Sequence, residues 1–458
     1  MSEKILVIGA ARSGVAVSKL LMDNGKAVVL TDNRPEDVVL AEFPQVRETL
    51  AELEEKGIET VFGRQIDTGV INEIDRVVTS PGVPLTIPII AEAYRCGVPV
   101  IGEAELAYCM TKAPFVAITG TNGKTTTTTL TGEIFKNSGR KTYTVGNIGD
   151  PISNYVMEAT PEDVFVTEIS AFQLETINKF RPAASAILNL SPDHMDRYGT
   201  MENYIAAKAR IFENQRGEDF LVLNADDEQV CELGRQAQCR KYYFSLDKKV
   251  AQGAYAMDGG IFINDNESVI PICRIEEMGI KGPHNVQNAL AATVLAYFMG
   301  VDVVSIAETL KSFGGVEHRQ EFVANIGGVD YINDSKGTNT NAAIVALNAM
   351  TKPVILIAGG YDKKEDYSEF IEVVRKKVKR MVLVGATASQ IEETAESQGY
   401  YNTVRVGDYD EAVKVASECA APGDVVLLSP ACASWDMFDN FEIRGQVFKD
   451  LVKRIGSN

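Results

Sequence analysis

Residues 114–129 constrain this chain strongly, because they combine a strand pattern with a loop suited to phosphate. The apolar residues 115–118 are typical of a buried parallel strand. Gly120 and Gly123 permit a tight loop whose backbone N–H groups converge on phosphate oxygens. Lys124 adds a positive charge, and Thr125 adds a hydroxyl suited to Mg²⁺. The stretch therefore predicts a strand, a phosphate loop and a helix whose N-terminus faces the anion.

The predicted loop is shorter than the usual phosphate loop. The usual loop separates its first glycine from Gly-Lys by four residues, which would place that glycine at position 118, an isoleucine here. In this chain only two residues separate Gly120 from Gly123. The alternative is a glycine-rich strand–helix turn without a ligand. The order of strand, glycines, lysine and hydroxyl favours the phosphate site.

Composition and charge narrow the functional classes. A chain of 458 residues has room for about three domains. Its net charge of −18 argues against nucleic acid as the main partner. Seven cysteines without paired spacing predict a reducing compartment, so a cytoplasmic location is expected. The N-terminus begins with a strand pattern rather than a signal peptide, and no apolar stretch is long enough for a bilayer. We expect a monomer without membrane insertion.

Residues 4–34 predict a β-α-β unit of the nucleotide-binding type. Its glycine fingerprint is incomplete, because Ala11 stands where a glycine would let a pyrophosphate approach. A NAD site is therefore not favoured. Asp32 is suited to accept from a ribose or other hydroxyl, and Arg34 is suited to a phosphate. A turn or helix-cap role for Asp32 is an equal alternative.

Polar side chains follow two further predicted strands. Glu168 follows the strand pattern at 163–167, and His194 follows the one at 183–190. Ligands of open α/β sheets bind beyond the carboxyl ends of the strands, so we expect these groups near the phosphate loop. Lys208 lies on the helix predicted for 201–212, where a solvated side chain is the alternative. A hairpin region is predicted for 242–272.

The rest of the chain repeats the strand–helix alternation. Asn285 and Asn288 lie one helical turn apart and can present amides to a nucleotide. The alternative is plain N-capping, which explains Asn285 better than Asn288. From residue 317 onward, strand patterns alternate with helices and end in polar loops at 333–339, 359–363 and 429–435. This pattern predicts a second doubly wound sheet. We place domain boundaries between residues 111 and 112 and between 316 and 317.

Several motifs occur together in one order. They are Gly-Thr-Asn-Gly-Lys-Thr at 120–125, Glu-Ile-Ser-Ala-Phe-Gln at 168–173, Asp-His-Met-Asp at 193–196, Asn-Asp-Ser-Lys-Gly-Thr-Asn at 333–339 and Ser-Pro-Ala-Cys-Ala-Ser at 429–434. On these residues the chain resembles the Mur ligases of peptidoglycan synthesis. The resemblance covers the whole chain. Its last two motifs favour the branch of the family that adds D-glutamate.

The resemblance implies an α/β fold of three domains. Residues 1–111 would form a Rossmann-like domain that binds the UDP substrate. Residues 112–316 would form a central mononucleotide-binding domain of the P-loop type, and residues 317–458 a doubly wound, Rossmann-like domain with ATP and D-glutamate contacts. The implied enzyme is an ATP-dependent amide ligase acting on UDP-N-acetylmuramoyl-L-alanine and D-glutamate through an acyl phosphate. Two Mg²⁺ ions and ATP are the implied cofactor and co-substrate.

The resemblance also assigns the site residues. Lys124, Glu168, His194 and Lys208 would carry the catalysis. Thr125 and Glu168 would hold one Mg²⁺, while His194 and Lys208, the latter as a carbamate, would hold the second. The implied ATP contacts are Gly120, Thr121, Asn122, Gly123, Lys124, Thr125, Thr126, Asn288, Arg319 and Asp334. The implied contacts of the UDP substrate are Arg12, Ser13, Asp32, Asn33, Arg34, Asn147, Ser170 and Gln173. Those of D-glutamate are Lys336, Thr338, Lys363, Ser434 and Phe441.

Two other readings stay open. The chain can be a neighbouring amide ligase, either another Mur ligase or a folylpolyglutamate-type enzyme, although a complete Rossmann-like first domain disfavours the folate enzyme. It can also be a nucleotide-dependent switch that forms no amide. The set of Glu168, His194 and Lys208 speaks against a switch, because a switch has no need of a two-metal site.

Overall fold

The computed structural model describes residues 3–362 and 365–456, which form two compact units, Met1–Phe313 and Gly314–Asn458. Three sheets organise the described residues, and each sheet lies within one of the three predicted regions. The predicted α/β class is therefore confirmed. The predicted domain boundaries stay a proposal, because the first unit contains both of the first two sheets.

The first sheet is the five-stranded parallel sheet of the predicted nucleotide-binding region. Its strands are β1 (Lys4–Ile8), β2 (Ala27–Asp32), β3 (Glu59–Phe62), β4 (Arg76–Thr79) and β5 (Val100–Gly102). Its helices are α1 (Arg12–Asp23), α2 (Glu36–Glu42), α3 (Arg47–Glu55), α4 (Pro88–Arg95) and α5 (Glu103–Met110). The strand order is β3-β2-β1-β4-β5, with every pairing parallel. The order reverses beside β1, which is the point where such sheets bind ligands.

The second sheet contains the phosphate loop. Its strands are β6 (Phe115–Thr119), β7 (Thr142–Gly146), β8 (Val164–Glu168), β9 (Ala184–Ile187), β10 (Phe220–Asn224), β11 (Arg240–Ser245), β12 (Gly253–Met257), β13 (Gly260–Asn264) and β14 (Val269–Arg274). Its helices are α6 (Lys124–Asn137), α7 (Ala171–Leu174), α8 (Met195–Tyr198), α9 (Met201–Ala209), α10 (Glu228–Gly234), α11 (Pro283–Phe298) and α12 (Val303–Ser312). The strand order is β14-β13-β12-β11-β10-β9-β6-β8-β7.

The middle of this sheet places the phosphate loop at the end of a buried strand. β6 pairs in parallel with β8 and β9, and all five of its residues are buried. The carboxyl ends of β6, β8 and β9 therefore meet, as the sequence predicts. The predicted hairpin region was wrong at its start, because β11 pairs in parallel with β12 and the antiparallel ladder begins only at β12. Tyr242 belongs to the parallel part of the sheet.

The second unit has its own six-stranded sheet. Its strands are β15 (Glu321–Ile326), β16 (Val329–Asn333), β17 (Val354–Ala358), β18 (Val378–Leu383), β19 (Thr403–Arg405) and β20 (Val425–Leu428). Its helices are α13 (Thr340–Ala349), α14 (Ser368–Lys377), α15 (Ala388–Ser397), α16 (Tyr409–Cys419) and α17 (Phe441–Gly456). The order is β15-β16-β20-β17-β18-β19, parallel except for the β15–β16 pair. The predicted doubly wound sheet is confirmed, with an antiparallel edge strand added.

Candidate functional site

The phosphate loop joins the end of β6 to the start of α6. Gly123 immediately precedes α6 with φ of 83°, a left-handed conformation that favours glycine. A Cβ atom on Gly123 would lie 2.4 Å from Oδ1 of Asn288, so the loop needs glycine for space as well. Asn288, on α11, also accepts a hydrogen bond from the hydroxyl of Thr127 at 3.2 Å. The structure thus brings Asn288 to the loop, as predicted for a nucleotide contact.

The two lysines of the predicted site meet at the same carbonyl. Lys124 donates to the carbonyl oxygens of Gly120 at 3.0 Å and Thr121 at 2.7 Å. Lys208, from α9, donates to the same Gly120 oxygen at 2.8 Å. This arrangement places two amines beside the loop that is proposed to receive phosphate.

Lys208 is buried, in contrast to the solvated helix lysine that was the alternative. Only 2% of the residue is exposed, and its Nζ lies 4.6 Å from the ring centre of Tyr204. Burial, followed by the positive charge of Lys124, lowers the pKa of the Lys208 amine well below its usual value. The carboxylates of Asp193 and Glu168 oppose that shift, so both act on this amine. An amine in such a place is neutral more readily than a surface lysine.

Glu168 ends β8 and has one oxygen ready for a cation. Asn147 donates from Nδ2 to Oε1 of Glu168 at 2.7 Å, which fixes the plane of the carboxylate. Among the described residues, no hydrogen-bond donor reaches the buried Oε2. A buried carboxylate oxygen without a partner is costly, and a hard divalent cation is an oxygen-seeking partner that would satisfy it. The donor set therefore fits Mg²⁺, with the hydroxyl of buried Thr125 as an additional oxygen.

His194 lies on the strained turn between β9 and α8. Its φ is 52°, and its ring is half exposed and lies 4.8 Å from the ring of Phe172, with 52° between the two planes. Its Nε2 lies 3.6 Å from Oδ2 of Asp193. An exposed imidazole in a sparsely populated backbone region is typical of a functional turn. The predicted metal role of His194 stays a prediction.

Ser170 and Gln173, predicted as substrate contacts, bind each other. The Ser170 hydroxyl accepts from the Gln173 amide at 3.2 Å, and the Gln173 side chain accepts from the Ser170 amide at 3.0 Å. This capping box begins α7 directly after Glu168. Both residues thus help to hold the chain that leaves β8, and their substrate contact stays a prediction.

A cavity of about 540 Å³ lies at the carboxyl ends of β1, β2 and β4. Its lining includes the five residues predicted for the UDP group, which are Arg12, Ser13, Asp32, Asn33 and Arg34. Asp32 accepts from the amide of Ala10 at 2.9 Å and from two guanidinium nitrogens of Arg34 at 3.0 and 2.8 Å. Burial raises the pKa of Asp32, but the hydrogen bonds from Arg34 and the amides outweigh it and lower that pKa overall. Asp32 is therefore an ionised acceptor, and it also serves the turn at Arg34, as the alternative proposed.

In the second unit, Asp334 lies buried after β16. It accepts from the Ser429 hydroxyl at 2.7 Å and from the Gln320 amide at 3.2 Å. Burial raises the pKa of Asp334 to about 6, and Ser429 and then Arg319 act in the opposite direction. Arg319 and Asp334 therefore lie within electrostatic reach of each other, and their nucleotide role stays a prediction.

The predicted amino-acid contacts lie on loops that one arginine binds. Arg444, on α17, is 1% exposed and donates to the carbonyl of Ser335 at 2.8 Å and to that of Cys432 at 3.1 Å. It thereby joins the loop of Lys336 and Thr338 to the loop of Ser434. Nζ of Lys336 lies 5.8 Å from the ring centre of Phe441. Lys363, also predicted here, lies outside the described residues.

A second group of possible metal ligands is already balanced by a lysine. Ligand atoms of Glu317, His318 and Glu321 lie within 4.8 Å of one another. Lys449 forms ion pairs with both glutamates, the one with Glu321 at 3.1 Å. Its ammonium occupies the position that a cation would need, so this cluster is an ion-pair network beside Arg319.

Some residues of the site were missed by sequence reasoning. Asn189 accepts from the Asn122 amide at 2.8 Å, and the Tyr204 hydroxyl lies 3.2 Å from that of Thr121. Asp193 lies next to His194, and Arg444 orders the second unit. Asp193 lies inside the Asp-His-Met-Asp motif, and Asn189 lies near the end of a predicted strand, so their positions in the sequence could have identified both. No local pattern marks Tyr204 or Arg444.

Comparison with known proteins agrees with this architecture. The family model "Mur ligase MurD-like, N-terminal domain" matches residues 3–102, "Mur ligase middle domain" matches 118–296, and "Mur ligase, glutamate ligase domain" matches 318–432. No helix in the described part of the chain has both the length and the apolar character needed to cross a membrane.

Relatives resemble the chain over its full length. A UDP-N-acetylmuramoylalanine–D-glutamate ligase of Pelotomaculum thermopropionicum is 48% identical over 450 residues, 98% of this chain and 97% of that protein. The enzyme of the same name from Clostridioides difficile is 45% identical over 455 residues, 99% of both chains. Among solved structures, the UDP-N-acetylmuramate-alanine ligase MurC of Thermotoga maritima has a TM-score of 0.59 at 21% identity and 99% coverage of both chains. It therefore shares the fold. The extent and identity of the sequence matches establish that the chain belongs to the Mur ligase family.

Proposed function

We propose that this protein joins D-glutamate to UDP-N-acetylmuramoyl-L-alanine with the cleavage of ATP to ADP and phosphate. The γ-phosphoryl group passes to the carboxylate of the alanyl residue, giving an acyl phosphate. The amine of D-glutamate attacks the acyl carbon, and phosphate leaves as the amide forms. No nucleophile from the protein is required, so catalysis consists of positioning and charge neutralisation.

The observation that carries this proposal is the buried group around Gly120. Lys124 and Lys208 both donate to the Gly120 carbonyl, and the Glu168 carboxylate acts on Lys208. The Lys124 ammonium can neutralise a transferring phosphoryl group when it turns from its own loop to the phosphate oxygens. Bound Mg²⁺ would supply Lewis-acid neutralisation of that charge. Thr125 and Glu168 are the residues proposed to hold one ion.

A second ion is proposed on His194 and Lys208. An ammonium cannot ligate a cation, so Lys208 has to react with CO₂ first. The neutral amine forms an N–C bond to CO₂ and loses a proton, which leaves a carbamate with oxygen ligands. The lowered pKa of the Lys208 amine supports this step, because only the neutral form is a nucleophile. Burial also keeps water from the product.

The remaining assignments follow the chemistry of each residue. Arg12, Ser13, Asn33 and Arg34 are proposed to contact the UDP group, with Asp32 holding Arg34 in place and accepting from a hydroxyl. Asp334 is proposed for ribose hydroxyls, Arg319 for phosphate charge and Asn288 for the nucleotide. The cation of Lys336 and the hydroxyls of Thr338 and Ser434 suit the two carboxylates of D-glutamate. We propose the cytoplasm as the place of this reaction.

Release of phosphate from ATP tests the proposal directly. We expect release only when UDP-N-acetylmuramoyl-L-alanine and D-glutamate are both present. Equal rates with L-glutamate, L-lysine or diaminopimelate would contradict the choice of D-glutamate. Slow hydrolysis of ATP at a rate that does not depend on UDP-N-acetylmuramoyl-L-alanine or D-glutamate would indicate a nucleotide switch instead. Turnover with a folate and glutamate would indicate the folylpolyglutamate alternative, which leaves the first cavity without a use.

A further inference from the structure

One loop connects the UDP cavity with Glu168. This connector loop, residues 146–154, begins at Gly146, the last residue of β7. At its far part, the carbonyl of Gly149 accepts a hydrogen bond at 3.0 Å from Nη1 of Arg12, a residue that lines the UDP cavity. At its near part, Asn147 donates to the Glu168 carboxylate at 2.7 Å and to the Glu168 carbonyl at 2.9 Å. Only Ile148 lies between Asn147 and Gly149 in the chain.

Two hydrogen bonds hold the connector loop between these two contacts. The amide of Gly146 donates to the carbonyl of Asp150 at 3.2 Å, and the Tyr155 hydroxyl donates to the Asp150 carboxylate at 2.6 Å. A Cβ atom on Gly146 would lie 2.4 Å from the carbonyl oxygen of Glu168, so the loop is packed directly against the backbone of β8. Because the hydrogen bond between Gly146 and Asp150 closes the loop around Asn147 and Gly149, we expect a shift at Gly149 to move Asn147 as well.

We propose that Arg12 is a positioning residue, which couples occupancy of the UDP cavity to the placement of the Glu168 carboxylate. The proposal rests on the proposed function. A guanidinium has five N–H donors in a fixed plane, so Arg12 can keep the Gly149 carbonyl while other N–H groups bind a diphosphate oxygen. The anion orders an otherwise exposed side chain. The ordered side chain holds Gly149, and Asn147 then holds Oε1 of Glu168, which would leave Oε2 available to a divalent cation.

The proposed coupling predicts that the UDP substrate and the cation tighten each other's binding. If the UDP substrate tightens the binding of a divalent cation by some factor, the cation tightens binding of the UDP substrate by the same factor. The relevant quantity is therefore the ratio of two cation affinities, measured with and without the UDP substrate. It can be measured at equilibrium, without ATP, D-glutamate or turnover.

The experiment measures binding of Mn²⁺, as a probe for Mg²⁺, by electron paramagnetic resonance. With the native protein, saturating UDP-N-acetylmuramoyl-L-alanine should tighten Mn²⁺ binding about fivefold or more. With Arg12→Met, the ratio should fall close to one, even when the UDP substrate is raised to saturation. Asn147→Ala should also lose the effect while keeping Arg12. The double variant should lose no more than either single variant, because both interrupt one path.

Arg34→Met is the matched control. Arg34 lines the same cavity but binds Asp32 and not the connector loop. We expect it to weaken binding of the UDP substrate and to keep the Mn²⁺ ratio once the substrate saturates. Should Arg12→Met unfold, which thermal unfolding would reveal, Arg12→Gln replaces it in the same comparison. A native-like ratio in the folded Arg12 variant, or a ratio of one in the native protein, would overturn the proposal. Failure of the proposed function is seen separately, as a native protein that forms no amide product.

Discussion

Lys208 and Asp334 show how the fold sets the charge of single residues. Each is almost fully removed from water, and burial is the first cause of its altered pKa. Burial lowers the pKa of the lysine and raises the pKa of the acid, so both move toward their neutral forms. Neutral lysine is needed for carbamate formation. Asp334 has to ionise before it is a strong acceptor, and this requirement makes the second unit sensitive to pH.

For Asp334, we expect the affinity for a non-hydrolysable ATP analogue to fall as the pH falls through about 6, the pKa of this carboxyl group. The protonated group is a poorer acceptor for ribose hydroxyls. Asp334→Asn should bind the analogue about 1–3 kcal/mol more weakly at neutral pH and should lose the pH dependence. Calorimetric titrations across the range check both. An affinity that stays constant in the native protein below pH 6 would contradict the assignment.

The same group affects folding in a defined direction. Because the folded pKa of about 6 exceeds the ordinary value of 3.8, the folded protein retains a proton that the unfolded chain releases between these values. Stability from Asp334 is therefore present below this window and falls as the pH rises through it. Between the two sides of this pH window, the free energy of unfolding measured in urea should change less for Asp334→Asn than for the native protein. An equal change in the free energy of unfolding of both proteins would contradict the raised pKa of Asp334.

For Lys208, replacement by alanine should lower amide formation about 100-fold or more, because the group proposed to hold the second ion is lost. Excess acetate should partly restore the rate by entering the space that alanine leaves. Lys208→Met fills that space and should not be rescued. Lys136→Ala, which removes an exposed lysine from α6, is the control and should be fully active. A fully active Lys208→Ala protein would exclude the metal role.

At the scale of elements, the site is made where strands end and helices begin. The phosphate loop depends on a left-handed glycine and on the close approach of α11 to α6. These two requirements can be separated, because Gly123 and Gly139 have nearly the same φ, 83° and 85°. A Cβ atom on Gly123 would contact Asn288, whereas a Cβ atom on Gly139 has no atom within 4 Å.

We expect Gly123→Ala and Gly139→Ala to share a destabilisation of about 1–2 kcal/mol from the left-handed backbone. Gly123→Ala should in addition weaken binding of the ATP analogue about tenfold or more, since Asn288 and the loop have to move. Gly139→Ala should bind the analogue normally. Thermal unfolding and calorimetry measure the two effects separately. Equal analogue affinity in both variants would show that the close approach has no functional role.

The elements also show what a sequence can reveal. The phosphate loop, α6 and the parallel order around β6 were predictable, because strand pattern, glycines and lysine lie next to one another in the chain. The burial of Lys208 was not, since it depends on Tyr204 and on the carbonyl of Gly120, 88 residues away. The parallel β11–β12 pairing was missed, because a short loop between strands favours a hairpin. Arg444 was missed because it binds backbone carbonyls, which leave no pattern in side chains.

At the scale of the whole molecule, the protein is acidic and its proposed ligands are anions. Positive groups are therefore concentrated locally, at Arg12 and Arg34 in the first cavity, at Lys124 beside the phosphate loop, and at Lys336 in the second unit. The UDP cavity is lined by arginines and amides. Glu168 is distant from these residues in the sequence and does not line the cavity. We therefore propose that the arginines of this cavity bind phosphate directly, without a metal.

Metal removal should thus have two different effects. A chelator should abolish amide formation, because it removes the cation that is proposed to bind the Glu168 carboxylate. The UDP substrate should still bind, with an affinity lowered only by the coupling factor of about fivefold. Calorimetry with and without the chelator measures that binding. Complete loss of UDP-substrate binding on chelation would indicate a metal inside the UDP cavity, contrary to the assignment.

The identity of the product tests the account most directly. The protein is incubated with ATP, Mg²⁺, UDP-N-acetylmuramoyl-L-alanine and D-glutamate, and the nucleotide-sugar fraction is analysed by mass spectrometry. We predict a new species whose mass equals that of the UDP substrate plus one glutamate less one water, formed together with ADP and phosphate. An unchanged UDP substrate alongside ADP, or the same product formed as readily from L-glutamate, would contradict the account.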